Sequence, residues 1–317
     1  MMVGQRFRRK TRRVPLVPKR HVKYEGILAA TLHRYRRQIR RFFDYLHDNG
    51  FELPQDLETL DDLVSDYIDH IYQDDYPINF GNDLVSGLKR LYPRCRRHLE
   101  ISSSFMRNWT KALHRNRALP LPKDLLLAMA AAALLKGKPR LSLALLIGFL
   151  GLLRTGEILA LNKDMLSVHG NGSLLVITLP ETKSGHRRGE CEHVLIYDKA
   201  IIQFCGRLLR TMDDKESLLG MKFRQLAYNI TELAGLFGCS DRSLTPYCIR
   251  RGGATWHFTT YQNYDSTQAL GRWSSAKTAR LYINQATSEI GFLNLPEWGR
   301  DRVRRGVASL TALMQES

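Results

Sequence analysis

Three segments in the second half of the chain place basic and phenolic side chains beside glycine or proline. The first, Gly151–Leu161, ends an apolar helix at a glycine-flanked Arg154 and starts a new helix near Glu157. A charge at the edge of a core is unusual, because buried arginine is rare unless it is paired or binds an anion. Arg154 therefore either braces its helix by pairing with Glu157 one turn on, or holds an anion.

The second segment, Leu244–Thr255, carries two consecutive arginines, Arg250 and Arg251, on the first turns of a helix that starts at Pro246. The residues that follow, Gly252–Ala254, are small, so a backbone or a ligand can approach this helix closely. This pattern indicates a cationic site next to a tight packing contact.

The third segment, Leu270–Ile283, contains Trp273 and Tyr282. Ser274 or Ser275 can cap a helix that carries Tyr282 two turns later. We expect Trp273 to be part of the core and also the wall of a site, because its indole is large and apolar. Tyr282 is either a functional phenol or a plain core aromatic.

A basic turn supplies a further candidate cation. The apolar residues of Ser173–Leu179 alternate as in a strand, and Glu192–Tyr197 is a second candidate strand. The polar, glycine-containing stretch between them predicts a β-hairpin with a basic tip. Lys183 in this turn is either a functional cation or an ordinary hairpin-tip lysine.

The elements that must position these residues are mostly helices. In the second half, helices are predicted at Lys123–Leu135, Leu141–Leu152, Lys199–Met212, Lys222–Leu236, Pro246–Phe258, Asp265–Leu270 and Ser275–Asn284. The first two are strongly apolar, but each is shorter than the ~20 residues that a membrane helix needs. We therefore expect core helices and no membrane contact.

The first half is predicted to be an all-α domain. Apolar residues in Thr31–Asn49 recur every three or four positions, while Arg34, Arg37 and Arg41 share another face of the same helix. Further helices are predicted from Thr59, near Asn82–Leu91 and near Ser104–His114. The arginine face either contacts DNA or is an ordinary solvated face.

The charge balance indicates a polyanionic partner. The chain has 48 Lys and Arg against 31 Asp and Glu, a net charge of +17, and this surplus favours nucleic acid. The five cysteines form no CxxC pair, which argues against a disulfide framework or a zinc site and fits a reducing compartment.

Charge runs, prolines and apolar spacing divide the chain into five predicted regions. They are a basic flexible arm (1–20), an α-helical domain with a cationic face (21–117), a proline-marked linker (118–122), a mostly α domain that carries the three segments and the hairpin (123–298) and a C-terminal amphipathic helix or tail (299–317). The apolar stripe of the last region needs a partner surface, either on its own domain or on another subunit.

Taken together, the three segments and the hairpin resemble the tyrosine recombinase (phage integrase) family. The first segment matches the family's Gly-Leu-Arg-x-x-Glu box, so the resemblance makes Arg154 a catalytic arginine and Glu157 its supporting acid. Arg250 falls on the arginine of the His-x-x-Arg box. Lys183 matches the family's catalytic lysine, which lies in a β-hairpin turn.

The third segment resembles the Leu-Gly-His/Trp box that leads to the nucleophile. Trp273 falls on its His/Trp position and Tyr282 on the nucleophilic tyrosine. Two positions depart from the family pattern. Tyr247 stands where His or Lys is usual, and a phenol donates hydrogen bonds but is a poor base at neutral pH. Arg251 stands where His is frequent, and we expect it to contact DNA.

The resemblance implies a fold that is mainly α with a small β-sheet. It comprises an α-helical N-terminal core-binding (SAM-like) domain and an α+β tyrosine recombinase catalytic domain. The implied activity is metal-independent site-specific recombination or integration, through a 3′-phosphotyrosyl intermediate and without a cofactor. The alternatives are a recombinase-derived DNA-binding protein with impaired catalysis and a type IB topoisomerase-like activity.

The implied partner is double-stranded DNA, bound by a homotetramer whose C-terminal segment docks on a neighbouring subunit; a monomer off DNA is compatible with the sequence. The segments Arg-Arg-Gly-Gly-Ala-Thr and Gly-Arg-Trp-Ser-Ser are more similar to recombinases of eukaryotic mobile elements than to bacterial Xer proteins. The protein would then be nuclear, and otherwise cytoplasmic. The sequence leaves open the target DNA site and the choice between integration, excision and resolution.

Overall fold

The structure, a computed structural model, describes residues 24, 26–52, 54–113, 118–180, 191–239, 244–284, 288, 290 and 294–317. The chain forms two compact units that divide between Arg115 and Asn116. The described part of the first unit is helical, and that of the second combines helices with one small sheet. The fold class predicted from the sequence, mainly α with a small β-sheet, is therefore confirmed. The predicted arm at residues 1–20 lies outside the described residues.

Four α-helices make up the described part of the first unit: α1 (Ala29–Asp48), α2 (Leu57–Gln73), α3 (Asn79–Leu91) and α4 (Glu100–Ala112). The predicted apolar face of α1 is buried, with Ile39, Phe42 and Leu46 in the core of this unit. The polar face of α1, which carries the arginines, is consequently left to solvent.

The core of the second unit is built on the two most apolar helices, α5 (Lys123–Leu135) and α6 (Pro139–Leu150). Both are buried on nearly all sides, which is why their sequences show no polar face. The predicted bounds of α5 are confirmed, and α6 lies two residues earlier than Leu141–Leu152. No described helix is both long and apolar enough to cross a membrane.

Three short strands form an antiparallel sheet in the order β1-β2-β3: β1 (Leu166–His169), β2 (Leu174–Leu179) and β3 (Glu192–Ile196). Alternate residues of β2 are buried, as predicted. Leu179 pairs with Glu192, so β2 and β3 are joined through residues 180–191. Strand β1 was not predicted, since four residues with one buried position carry little periodicity.

Seven further helices are described in the second unit. They are α7 (Thr155–Ala160), α8 (Lys199–Arg210), α9 (Phe223–Gly235), α10 (Tyr247–Tyr261), α11 (Tyr264–Leu270), α12 (Ala276–Arg280) and α13 (Glu297–Glu316). The predicted helix Ser275–Asn284 is too long, because α12 ends at Arg280. Ser275 does cap it, accepting a hydrogen bond from the Thr278 amide at 3.3 Å.

Helix α10 lies very close to its neighbours through its two glycines. A methyl group at Gly252 would overlap the backbone of Leu121, and one at Gly253 would overlap the carbonyl of Phe149 on α6. The Leu121 amide also donates to the Cys248 carbonyl at 3.1 Å. Residues 118–122, predicted as a linker, therefore pack on the second unit with Leu121 buried.

The C-terminal helix α13 packs on its own unit. Its apolar stripe covers α5, with Val303, Leu310 and Met314 buried in the same core cluster. The Arg207 guanidinium of α8 donates to the Met314 carbonyl. The amphipathic helix was correctly predicted. Of the two partner surfaces considered from the sequence, the structure shows the one on its own domain.

Candidate active site

The first candidate arginine lies at the start of a short helix. Arg154 is the N-cap residue of α7, and its amide donates to Glu157 Oε2 at 2.8 Å. Its guanidinium also donates to Glu157 Oε1 at 2.6 Å. The bracing ion pair considered from the sequence is therefore present. It leaves the Arg154 side chain 28% exposed, so an anion can still reach it.

Arg250 is the most constrained charge of the site, because its side chain is 1% exposed. It donates to the Leu152 carbonyl of the first segment and to the Gly271 carbonyl of the third, the latter at 2.5 Å. Its Nε is buried and has no partner among the described residues. The pKa of Arg250 is lowered to about 10, first by burial and then by the nearby charges of Arg154 and Arg272.

Two aromatic rings cover the Arg250 guanidinium. It lies 4.7 Å from the ring centroid of Trp273 and 5.6 Å from that of Tyr282. The two rings are themselves 4.5 Å apart. Trp273 is buried and Tyr282 is partly buried, in the turn that follows α12 rather than on the predicted helix. A cation over aromatic faces is stabilised by the ring quadrupole.

Tyr247 contacts the Tyr282 phenol directly. Its hydroxyl donates a hydrogen bond to the Tyr282 hydroxyl oxygen, and the ring centroids are 5.6 Å apart. Burial raises the pKa of Tyr247, and its hydrogen bond to Tyr282 raises that pKa further. Tyr247 is thus a phenol that keeps its proton and can only donate to its neighbour at neutral pH.

Arg251 does not lie on the surface, contrary to the expectation that it contacts DNA. It is 5% exposed and donates to the Ala118 carbonyl at 2.5 Å and to the Leu281 carbonyl at 3.3 Å. Thr255, one turn further along α10, donates to the Tyr282 carbonyl at 3.2 Å. These bonds hold the turn that carries Tyr282 against α10.

The remaining predicted residues lie elsewhere or cannot be placed. Lys183 lies outside the described residues. Arg34, Arg37 and Arg41 are all exposed on α1 of the first unit. Arg34 pairs with Asp83 at 3.4 Å, and the Arg41 guanidinium lies 4.5 Å from the Phe80 ring centroid.

Two charged residues of the second unit were missed from the sequence. Arg272, 8% exposed, lies 2.5 Å from Glu157 Oε2 and 3.1 Å from Glu192 Oε2. Burial lowers the pKa of Arg272, while Glu157 opposes that shift. The sequence did offer one sign of Arg272, since it directly precedes Trp273 in a segment that was already singled out. Its acidic partners are distant in sequence, so spacing could not reveal them.

The described residues include no group of three or more His, Cys, Asp or Glu side chains placed to hold a metal ion. The gathered groups are instead guanidiniums, phenols and one indole. Such a set can bind an anion bidentately and present a phenol oxygen to it.

No protein-family model and no curated protein sequence matches this chain. Solved structures do match it. A variant of the Tn1549 transposon integrase, in complex with transposon right end DNA, is similar with a TM-score of 0.58 and 13% identity, covering 86% of this chain and 96% of that chain. A second variant, in complex with a circular intermediate DNA, has a TM-score of 0.55 and 14% identity, covering 82% and 98%. The chain therefore has the tyrosine recombinase fold.

Proposed function

We propose that this protein is a site-specific DNA recombinase that breaks and rejoins DNA through a 3′-phosphotyrosyl intermediate on Tyr282. One observation carries the proposal. The buried Arg250 guanidinium bonds only to neutral carbonyls among the described residues and lies under the rings of Trp273 and Tyr282. A buried cation without a carboxylate partner is costly, and a bound phosphate removes that cost.

In this mechanism, Arg154 and Arg250 hold the non-bridging oxygens of one backbone phosphate. Guanidiniums suit this role because they are planar, donate in pairs and stay charged at neutral pH. Phosphoryl transfer needs mostly positioning and charge stabilisation, and both arginines supply these. Trp273 covers the site and excludes water from one side of it.

The cleavage step exchanges one phosphoester for another. The Tyr282 oxygen gives its proton to solvent water and bonds to phosphorus, while the bond from phosphorus to the 5′ oxygen breaks. The leaving oxygen takes a proton from a general acid, which we assign to Lys183 because a lysine can give up a proton that arginine retains. Attack by a 5′ hydroxyl of another strand then reverses the step and releases Tyr282.

We propose double-stranded DNA as the partner, bound by a homotetramer at two sites, with no cofactor. The net charge of +17 supports a polyanionic ligand. The integrase structures of similar fold are complexes with DNA. The exposed arginines of α1 supply further phosphate contacts in this proposal.

A second candidate is a DNA-binding protein of the same fold that no longer cleaves. The observation that favours it is Tyr247, since this phenol occupies the position where the family usually has His or Lys and bonds to the Tyr282 hydroxyl. A phenol that keeps its proton cannot act as a base for the nucleophile. The two candidates differ in one measurable product, a covalent complex with DNA.

The test uses a library of nicked duplexes with a randomised central sequence, so that no target site has to be known. The protein is incubated with the library and then denatured, and DNA that remains attached is recovered and sequenced. We expect covalent complexes with a shared sequence, and none with Tyr282→Phe. Tyr228→Phe is the matched control, because Tyr228 is 69% exposed and far from the site in sequence.

The wild-type result decides between the candidates. If wild type binds DNA non-covalently but forms no covalent complex, the cleavage proposal is rejected and the second candidate, a DNA-binding protein that no longer cleaves, is supported. Covalent complexes with no shared sequence, together with relaxation of supercoiled plasmid, would instead indicate a topoisomerase-like activity.

A further inference from the structure

Arg272 joins three separate elements of the second unit. Its guanidinium contacts Glu157 of α7 at 2.5 Å, Glu192 at the start of β3 at 3.1 Å and the Gly151 carbonyl at 3.4 Å. The contact with Glu192 is an ion pair rather than an aligned hydrogen bond. Arg272 also has a backbone φ of 54°, in the left-handed region that non-glycine residues rarely adopt. Such strain persists only where the surroundings hold the residue in place.

The two oxygens of the Glu157 carboxylate face the guanidiniums of two different arginines. One oxygen, Oε1, faces the Arg154 guanidinium at 2.6 Å, and the other, Oε2, faces Arg272 at 2.5 Å. Oε2 also accepts the Arg154 amide at 2.8 Å. The carboxylate therefore has one orientation in which all these donors are satisfied, and Arg272 fixes it from the side opposite Arg154.

The charges of the cluster leave a positive excess. Three guanidiniums (Arg154, Arg250 and Arg272) lie with two carboxylates (Glu157 and Glu192). Because Arg272 is paired with both carboxylates, Glu157 neutralises Arg154 only in part. This excess of one positive charge among the five groups favours the binding of an anion.

We propose that Arg272 is a positioning residue that acts through Glu157 to hold Arg154 in the geometry needed to bind the scissile phosphate. The inference rests on the proposed function. Arg272 is not itself assigned to the phosphate, because it is already paired with two carboxylates and its three nitrogens face Glu157, Glu192 and Gly151.

The first test compares Arg272→Lys and Arg272→Met with wild type in a single-turnover cleavage assay at saturating DNA, alongside the DNA dissociation constant. Misplacing Arg154 is expected to slow cleavage by about 10²-fold in Arg272→Met, with DNA affinity changed less than about threefold. Arg272→Lys keeps the charge and should recover part of the rate. Arg280→Lys, an exposed arginine on α12, is the matched control and should cleave like wild type.

A double-variant cycle then asks whether Arg272 acts through Glu157. If it does, Glu157→Gln combined with Arg272→Lys should be no slower than Glu157→Gln alone. Independent effects that multiply would overturn the inference, and so would an Arg272→Met variant that cleaves as fast as wild type.

A third measurement needs no cleavage and separates failure of the inference from failure of the proposed function. Hydrogen exchange of the free full chain is followed at the amides of α7. We expect faster exchange there in Arg272→Met, and also in Glu192→Gln, because Glu192 reaches α7 only through Arg272 in these contacts. If wild type makes no covalent complex but this coupling is seen, the proposed function fails and the positioning role stands. Unchanged exchange at α7 in both variants would overturn the positioning role.

Discussion

Among single residues, Arg250 meets the strongest physical constraint. Its guanidinium is buried, its described hydrogen bonds go to the Leu152 and Gly271 carbonyls, and two aromatic rings cover it. It thus ties the first and third segments together while keeping its charge. In the proposed mechanism the same side chain also binds the phosphate, so substitutions should affect both packing and cleavage.

The Arg250→Lys variant tests this double role. Lysine keeps the charge but has one nitrogen where Arg250 uses two, so we expect one carbonyl to lose its donor, and a buried acceptor left unsatisfied costs about 1–3 kcal/mol. We expect the free energy of unfolding in urea to fall by that amount and the covalent complex to be lost. Arg280→Lys should change stability by less than about 0.5 kcal/mol. An Arg250→Lys variant with wild-type stability would contradict a stabilising role for the hydrogen bonds from Arg250 to the Leu152 and Gly271 carbonyls.

Tyr247→Phe tests the contact between the two phenols. The Tyr247 hydroxyl donates to the Tyr282 oxygen, so it holds the attacking oxygen in one position. Removing one hydrogen bond of about 1 kcal/mol should slow cleavage roughly fivefold to tenfold near neutral pH. A cleavage rate identical to wild type would show that Tyr247 has no part in activating the nucleophile.

At the scale of helices and strands, local sequence predicted most of the fold. The bounds of α5 were predicted to the residue, because Pro122 precedes its first turn and Gly137 follows its end. The turn that carries Tyr282 was predicted as helix and is not. Its conformation is held by Arg251 and Thr255 of α10, which bond to the carbonyls of residues 281 and 282, and such long-range contacts leave no local periodicity.

The candidate site was predictable to the extent that its residues lie in recognisable segments. Arg154, Arg250, Trp273 and Tyr282 were all identified by residue type and spacing. Arg272 and Glu192 were not, since their roles depend on ion pairs between elements that are far apart in sequence. The burial of Arg251 was missed for a related reason, because a charged residue on a helix gives no local sign of the carbonyls that it meets.

Replacing a glycine of α10 by alanine tests the close approach of helices behind the site. Helix propensity alone predicts that Gly253→Ala is stabilising by about 1 kcal/mol. The new methyl would instead overlap the Phe149 carbonyl, so we expect destabilisation by about 1–3 kcal/mol. Gly235→Ala on α9 is the matched control, since nothing lies near its added methyl, and it should be neutral or stabilising. If thermal unfolding showed that both variants are more stable than wild type, this result would contradict the close contact between Gly253 and the Phe149 carbonyl.

For the molecule as a whole, the net charge of +17 is the property most directly tied to DNA. Phosphate contacts release counterions, so affinity should fall steeply with salt. Arg34 and Arg37 of α1 differ in how much uncompensated charge they present, because Arg34 has Asp83 3.4 Å away whereas no ion pair is described for Arg37.

Arg37→Gln tests the contribution of the first unit. If Arg37 contacts one DNA phosphate, the plot of log K for DNA association against log salt concentration should become less steep by about one unit of slope. Arg34→Gln should reduce the slope less, since Asp83 already compensates part of its charge. Fluorescence anisotropy with a fixed duplex over a range of salt gives both slopes. An unchanged slope for Arg37→Gln would exclude this face of α1 from the DNA contact.

The most direct test of the proposed mechanism is to identify the residue to which DNA becomes attached. The denatured covalent complex is digested with nuclease and trypsin, and the peptide that retains nucleotide is sequenced by mass spectrometry. The two phenols fall in different tryptic peptides, Ser243–Arg250 for Tyr247 and Leu281–Arg300 for Tyr282. The proposed mechanism predicts a nucleotide on Tyr282 in the second peptide. A nucleotide on Tyr247 or on any other residue would contradict it, as would wild-type protein that binds DNA and yields no nucleotide-bearing peptide.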